Sequence, residues 1–139
     1  MEIIAVALQT VQQGQNVYFT DEVTCGNCSI SHRDGSGLVT LRGLTNQCRA
    51  RFKITFGANI AIPTGGTVEA ISLALAINGE AVPATTMIYT PTAAEAFGNV
   101  FSAIFVDVPC NCCQTISVQN TSAQAIEVQN ANLIVERTS

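Results

Sequence analysis

Two stretches of this chain are apolar on both faces of a strand at once. From Val68 to Ile77, Ile71, Leu73, Leu75 and Ile77 alternate with Ala70, Ser72, Ala74 and Ala76. From Val100 to Val108, Ile104, Val106 and Val108 alternate with Phe101, Ala103 and Phe105. Alternation with a period of two is the signature of a β-strand. An antiparallel sandwich offers each strand one core face and one solvent face, so a second apolar face needs another cover. We expect that cover to be another copy of the chain, with Ala70, Ser72, Ala74, Phe101, Ala103 and Phe105 at the contact. The alternative is that loops or termini of the same chain fold over these faces.

The rest of the chain alternates as well, and nowhere does a helical period persist, so the class is all-β. Candidate strands run from Ile3 to Leu8, Asn16 to Thr20, Ser29 to His32, Leu38 to Leu41, Arg49 to Ala58, Thr67 to Ile77, Thr85 to Tyr89, Asn99 to Val108, Gln114 to Asn120 and Ala125 to Arg137. Turn signals separate them at Gln13-Gly14, Asp34-Gly35-Ser36-Gly37, Pro63-Thr64-Gly65-Gly66, Asn78-Gly79, Pro91 and Pro109. No linker divides the 139 residues, so a single domain over 1–139 is expected.

Charge supports the idea of a covered surface. Only 12% of residues are charged, 47% are hydrophobic, and the mean hydropathy is +0.32, whereas soluble domains typically carry about 25% charged residues. Six basic residues stand against ten acidic ones for a net charge of −4, which excludes a nucleic-acid partner, since phosphate binding needs a basic field. Arg49, Arg51 and Lys53 share one side of a strand, with Arg42 expected near them; so few cations suit a solvated face or ion pairs between subunits. No apolar run approaches the roughly 20 residues of a membrane span, and the start MEIIAVALQTVQQGQ lacks a basic n-region, so membrane insertion and a signal peptide are not expected.

Few residues here could do chemistry. His32 is the sole histidine; Asp34, Ser29 and Ser31 are near it in sequence, but no G-x-S-x-G elbow exists and a triad is not assembled from one segment. The acids Asp21, Glu22, Asp34, Glu69, Glu80, Glu95, Asp107, Glu127 and Glu136 scatter over turns and strand ends without forming a glycosidase pair. Asp107 stands in an apolar strand and needs a partner such as an arginine from a neighbouring strand or subunit. Asp34-Gly35-Ser36-Gly37 suits a turn better than a calcium loop. No enzyme and no cofactor are expected. Asn27 and Asn120 match glycosylation sequons without further support.

Six cysteines are many for a chain without an export signal: Cys25, Cys28, Cys48, Cys110, Cys112 and Cys113. Cys25-Gly26-Asn27-Cys28 with the Cys110 to Cys113 cluster could offer four thiolates to zinc, but the C-x-C-C spacing departs from the usual pair, and disulfides or buried thiols remain open. A redox role would need a helix after Cys28, and none is predicted. Synthesis in the cytosol followed by release on a particle, such as a virion or spore, reconciles the cysteines with the missing signal.

Several segments carry a resemblance: the aromatic strand start after Gly14-Gln15, the Gly35 to Leu41 segment, R-F-K-I-T-F-G-A-N-I at Arg51 to Ile60, and the final strand ending Leu133 to Arg137. With about ten short strands, they resemble the trimeric jelly roll of the tumour necrosis factor and complement-head superfamily. Ala61 to Thr67, Ile71 to Glu80 and Ile116 to Ser122 resemble its bacterial and phage branch. The resemblance implies a two-sheet antiparallel jelly-roll sandwich, a homotrimer and a structural role. Since Gly-X-Y repeats are missing, a virion decoration or fibre subunit contributing cohesion or host-surface adhesion is expected ahead of a stalked spore- or cell-surface head or a sugar-binding lectin module. Other structural proteins of the particle, or a surface glycan, would be its partners. In a jelly roll Cys48 and the Cys110 to Cys113 turn share one end of the sandwich, which favours pairing Cys48 with one of Cys110, Cys112 and Cys113. Cys25 and Cys28 are expected at the other end or on a flank.

Overall fold

The alternation of Phe52, Ile54 and Phe56 with Arg51, Lys53 and Thr55 becomes the longest strand in the protein. The computed structural model describes residues 1–24, 30–43, 49–109 and 113–138, the side chains of residues 23, 24 and 49 excepted. Among these residues are twelve strands: β1 (Glu2–Ala5), β2 (Gln9–Val11), β3 (Asp21–Thr24), β4 (Ile30–His32), β5 (Val39–Arg42), β6 (Arg49–Ala61), β7 (Ile71–Ile77), β8 (Glu80–Ala81), β9 (Met87–Tyr89), β10 (Gly98–Pro109), β11 (Cys113–Asn120) and β12 (Ile126–Arg137). The only helical element among the described residues is a 3-10 turn at Pro83–Thr85.

The strands form two antiparallel sheets. One runs β10-β6-β12-β1-β3, with β2 also beside β12. The other runs β4-β5-β11-β7-β8, with β9 also beside β7. Their inner faces close on one apolar cluster. It draws Phe52, Ile54, Phe56, Val106, Val108, Leu133 and Val135 from the first sheet and Val39, Leu41, Leu73, Leu75, Ile116 and Val118 from the second. Phe19 lies in the loop that follows β2 and is fully buried. Its ring meets Phe56 edge-on at 6.3 Å between centroids, a favoured aromatic geometry.

Local chemistry explains several boundaries. At the two-residue link between β7 and β8, Asn78 (φ 52) and Gly79 (φ 85) both take the left-handed conformation that a tight hairpin demands. Asn78 Oδ1 accepts the Thr115 N–H at 2.9 Å, tying this turn to β11. On β12 the register shifts between Gln129 and Asn132, where Asn130 has φ 55. That irregularity lets one strand pair with β2 before it and β1 after it.

Some expected strands are corrected. Asn16 to Thr20 is no strand, because its N–H groups are drawn to several elements: Val17 bonds Val118, Phe19 bonds Ser36 and Thr20 bonds Ile4. Thr67 to Ala70 does not extend β7; the Gln124 amide takes both backbone groups of Thr67 instead. Thr85 falls in the 3-10 turn that Pro83 opens, and its hydroxyl accepts the Leu75 N–H at 2.9 Å. Three short strands, β2, β3 and β8, were too brief to show a period.

Phe56 is fully buried between the sheets, so Phe56→Ala should cost about 3–5 kcal/mol of unfolding free energy. Urea denaturation followed by far-UV circular dichroism checks this; a loss below about 1 kcal/mol would contradict the packing described.

Candidate functional site

Only the inner face of the first sheet meets the core, and its outer face carries an exposed apolar centre. Odd-numbered residues of β10 point outward there: Phe101 is 64% exposed and Phe105 60% exposed, with exposed Ala103 between them. The register defines levels across the face. Phe101 lies opposite Gly57 on β6, which lies opposite Asn132 on β12, which faces Ile4 on β1. Ala103, Thr55, Ile134 and Glu2 form the next level, and Phe105, Lys53 and Glu136 the one after. Ile134 is exposed and sequence reading passed over it, although the alternation within Leu133 to Glu136 marks it as outward.

Polar residues bound this apolar centre at both ends. At one end Asn99 Nδ2 donates to Asn59 Oδ1 at 3.2 Å. At the other, Asp107 faces Arg51 in register, and the guanidinium donates from Nε at 2.8 Å and from Nη2 at 3.2 Å to the two carboxylate oxygens. The expected arginine partner from a neighbouring strand is therefore Arg51. The Asp107 hydrogen bond, and then its charge, raise the Arg51 pKa above its ordinary value. Inside the sheet, Asn132 donates a short hydrogen bond to the Glu2 carboxylate.

The other residues expected at a subunit contact divide. Phe101, Ala103 and Phe105 share the exposed face. On β7, Ala74 is fully buried within the chain and has no surface to offer a neighbour. Ser72 is engaged at home, its hydroxyl 2.7 Å from that of Thr121 and its N–H donating to Ser122 Oγ. Ala70 is exposed just before β7, on the other sheet from Phe101. The chain itself thus covers much of the second face of β7, as the alternative reading allowed. Arg42 is corrected as well: it sits on β5 in the second sheet, opposite Cys113, and not beside Arg51 and Lys53.

Cys25, Cys28, Cys48, Cys110 and Cys112 lie outside the described residues, and Cys113 is exposed at the start of β11. Their flanks are informative. β3, β5 and β10 run out, and β4, β6 and β11 begin, at one end of the sandwich, the two strands of each successive pair belonging to different sheets. Arg49 faces Pro109 and Arg42 faces Cys113 across that end.

His32 ends β4. Its Nε2 lies 2.9 Å from Ser36 O and its ring meets Phe19 edge-on, so it closes the Asp34 to Gly37 turn. That turn is held by Gly35 N–H to Phe19 O and Ser36 N–H to Arg33 O. Among the described residues no group of three or more His, Cys, Asp and Glu converges on a metal position. Tyr89 is half-buried with its hydroxyl donating to Ala96 O, and its ring occupies the space a side chain at Gly98 would need. Asn120 is buried and donates to Val11 O and Gln124 O, which takes it away from any glycosylating enzyme.

No family model and no curated protein matches the chain. Solved structures do. The globular domain of zebrafish complement 1qA protein superposes with a TM-score of 0.62 at 11% identity, over 96% of this chain and 93% of that one. Murine APRIL superposes with a TM-score of 0.66 at 11% identity, over 97% of both chains. At such identities the likeness is one of fold: a two-sheet jelly roll of the kind seen in those proteins.

If Phe101 and Phe105 stand clear of the core as described, Phe101→Ser and Phe105→Ser should each change the unfolding free energy of dilute protein by no more than about 0.5 kcal/mol. Urea titration at submicromolar concentration measures this, and a loss approaching that of Phe56→Ala would place the rings in the core instead.

Proposed function

We propose that this chain is a structural interaction module that assembles as a homotrimer through the outer face of the β10 sheet, and that the trimer sits on the surface of a particle as a virion decoration or fibre subunit. One observation carries the reading: two phenylalanines more than half exposed, with Ala103 between them, on a strand that forms the edge of its sheet. Isolated exposed apolar residues are ordinary, but a contiguous patch rimmed by polar groups marks an interaction surface. Here the rim is the Asn59–Asn99 pair at one end and the Arg51–Asp107 pair at the other.

Association would bury this centre while leaving the rim wet, the usual anatomy of a stable interface. The three-copy stoichiometry and the particle rest on the resemblance of Ile71 to Glu80 and Ile116 to Ser122 to the bacterial and phage branch of the fold. The three cysteine-bearing crossings start and finish on flanks at one end, which supports disulfide stapling of that end, within or between copies, with zinc as the competing use of the same thiols. Binding and cohesion, not catalysis, are what the surface offers.

Sedimentation equilibrium at micromolar concentration should give three chain masses for the native protein and one for the variant carrying both Phe101→Ser and Phe105→Ser. A native monomer at that concentration would overturn the reading. Masses under reducing and non-reducing conditions separate covalent from purely noncovalent assembly.

A further inference from the structure

The level of Phe105 holds one cation and one anion, Lys53 on β6 and Glu136 on β12. Lys53 faces Phe105 on one side and Glu136 on the other, and both charged residues are exposed. The described residues contain an ion pair at the next level, between Arg51 and Asp107, and among them neither Lys53 nor Glu136 has a hydrogen-bond or ion-pair partner. Wherever a neighbouring molecule covers Phe105, it also draws water away from these two groups, because they occupy the adjoining strands at the same height. A charge desolvated without a partner is strongly unfavourable.

We infer that Lys53 of each copy pairs with Glu136 of the next, so that the face selects a second copy of this chain through a reciprocal charge match. The inference rests on the trimer reading. Rotation about a symmetry axis that runs along the strands preserves height, so a residue on one copy meets only residues of its own level on the next. The Phe105 level therefore brings a lysine and a glutamate to each contact, and cyclic symmetry repeats that pair at every interface. Sliding one copy by a level along the axis would set Lys53 against Ile134 or Thr138 instead of Glu136, so the pair favours one axial register as well as one partner. The Arg51–Asp107 pair, satisfied within the chain, competes for neither residue.

The test compares native protein with Lys53→Glu, Glu136→Lys, the variant carrying both, and an equimolar mixture of the two single variants. Association is read by sedimentation equilibrium at low salt and folding by urea denaturation of dilute samples. Each single reversal should weaken association by roughly tenfold or more, since it opposes like charges at every contact. The doubly reversed chain should return to within about threefold of native, and the differences should shrink in about 1 M salt. The mixed singles should associate more strongly than either alone, because a mixed trimer has two matched contacts and one like-charged contact where each single variant has three like-charged ones, a partial rescue that a contact confined to one chain cannot give. Single variants that associate like native protein, or a mixture no better than its components, overturn the pairing while leaving the trimer intact. A native monomer overturns the trimer reading and the pairing together.

Discussion

Strand β6 is the element on which the rest of the structure depends. It is paired on both sides, with β10 along its whole length of Arg49 to Ile60 and with β12 from Phe52 to Ala61, so its backbone fixes which residues share a level and which share a face. A slip of one residue would exchange Phe52, Ile54 and Phe56 for Arg51, Lys53 and Thr55 in the core. Because all three phenylalanine and isoleucine side chains are fully buried, that slip is closed off energetically. The same ladder that locks the core therefore sets Phe101 over Gly57, Phe105 beside Lys53 and Asp107 against Arg51. Core packing and surface chemistry are two consequences of one register.

The second sheet is made differently. β7 has no room for large side chains on its outer side, where Ala74 and Ala76 are fully buried within the chain, and the segment from Pro83 to Thr86 bonds back onto Leu75 through Thr85. Ser122 and Asn120 hold the loop before β12, Ser122 by its hydroxyl to Ser72 and Asn120 by its amide to Val11 and Gln124. A polar network satisfied in this way rigidifies a loop at little risk, since every buried donor has an acceptor. The chain's own connections thus cover the outer side of β7, though Ile88 on β9 stays exposed, while the sheet bearing β10 leaves aromatic surface open. The asymmetry assigns the two faces different roles.

Much of this was legible in the residues. Alternation gave the class and the central strands, and the apolar second face of Val100 to Val108 pointed to Phe101, Ala103 and Phe105. The lone acid in that strand required an arginine, and Arg51 is there. What was not legible had local physical causes. Alanines at 70, 74 and 76 look the same whether a loop of the same chain or another copy covers them, because small side chains carry no trace of what packs on them. Arg42 could not be separated from Arg51 without knowing which sheet each strand joins. The Lys53 and Glu136 level exists only once β6 and β12 are in register, at a separation in sequence that no periodicity spans.

An edge strand of twelve residues, Gly98 to Pro109, exposes unpaired backbone as well as aromatic rings, a combination that invites uncontrolled pairing unless something blocks it. Natural edges are blunted by charges, bulges, prolines or covers. β10 has a proline at its very end and one outward-facing ion pair, Asp107 with Arg51, and between Phe101 and Phe105 nothing charged of its own. In a chain with so few charged residues, the nearest deterrent is Lys53 on the adjoining strand. On the proposed pairing, a charge placed beside the aromatic centre, with an opposite charge one strand further on, would exclude like-signed edges while matching another copy of the chain. The arrangement is therefore better understood as selecting a partner than as preventing contact.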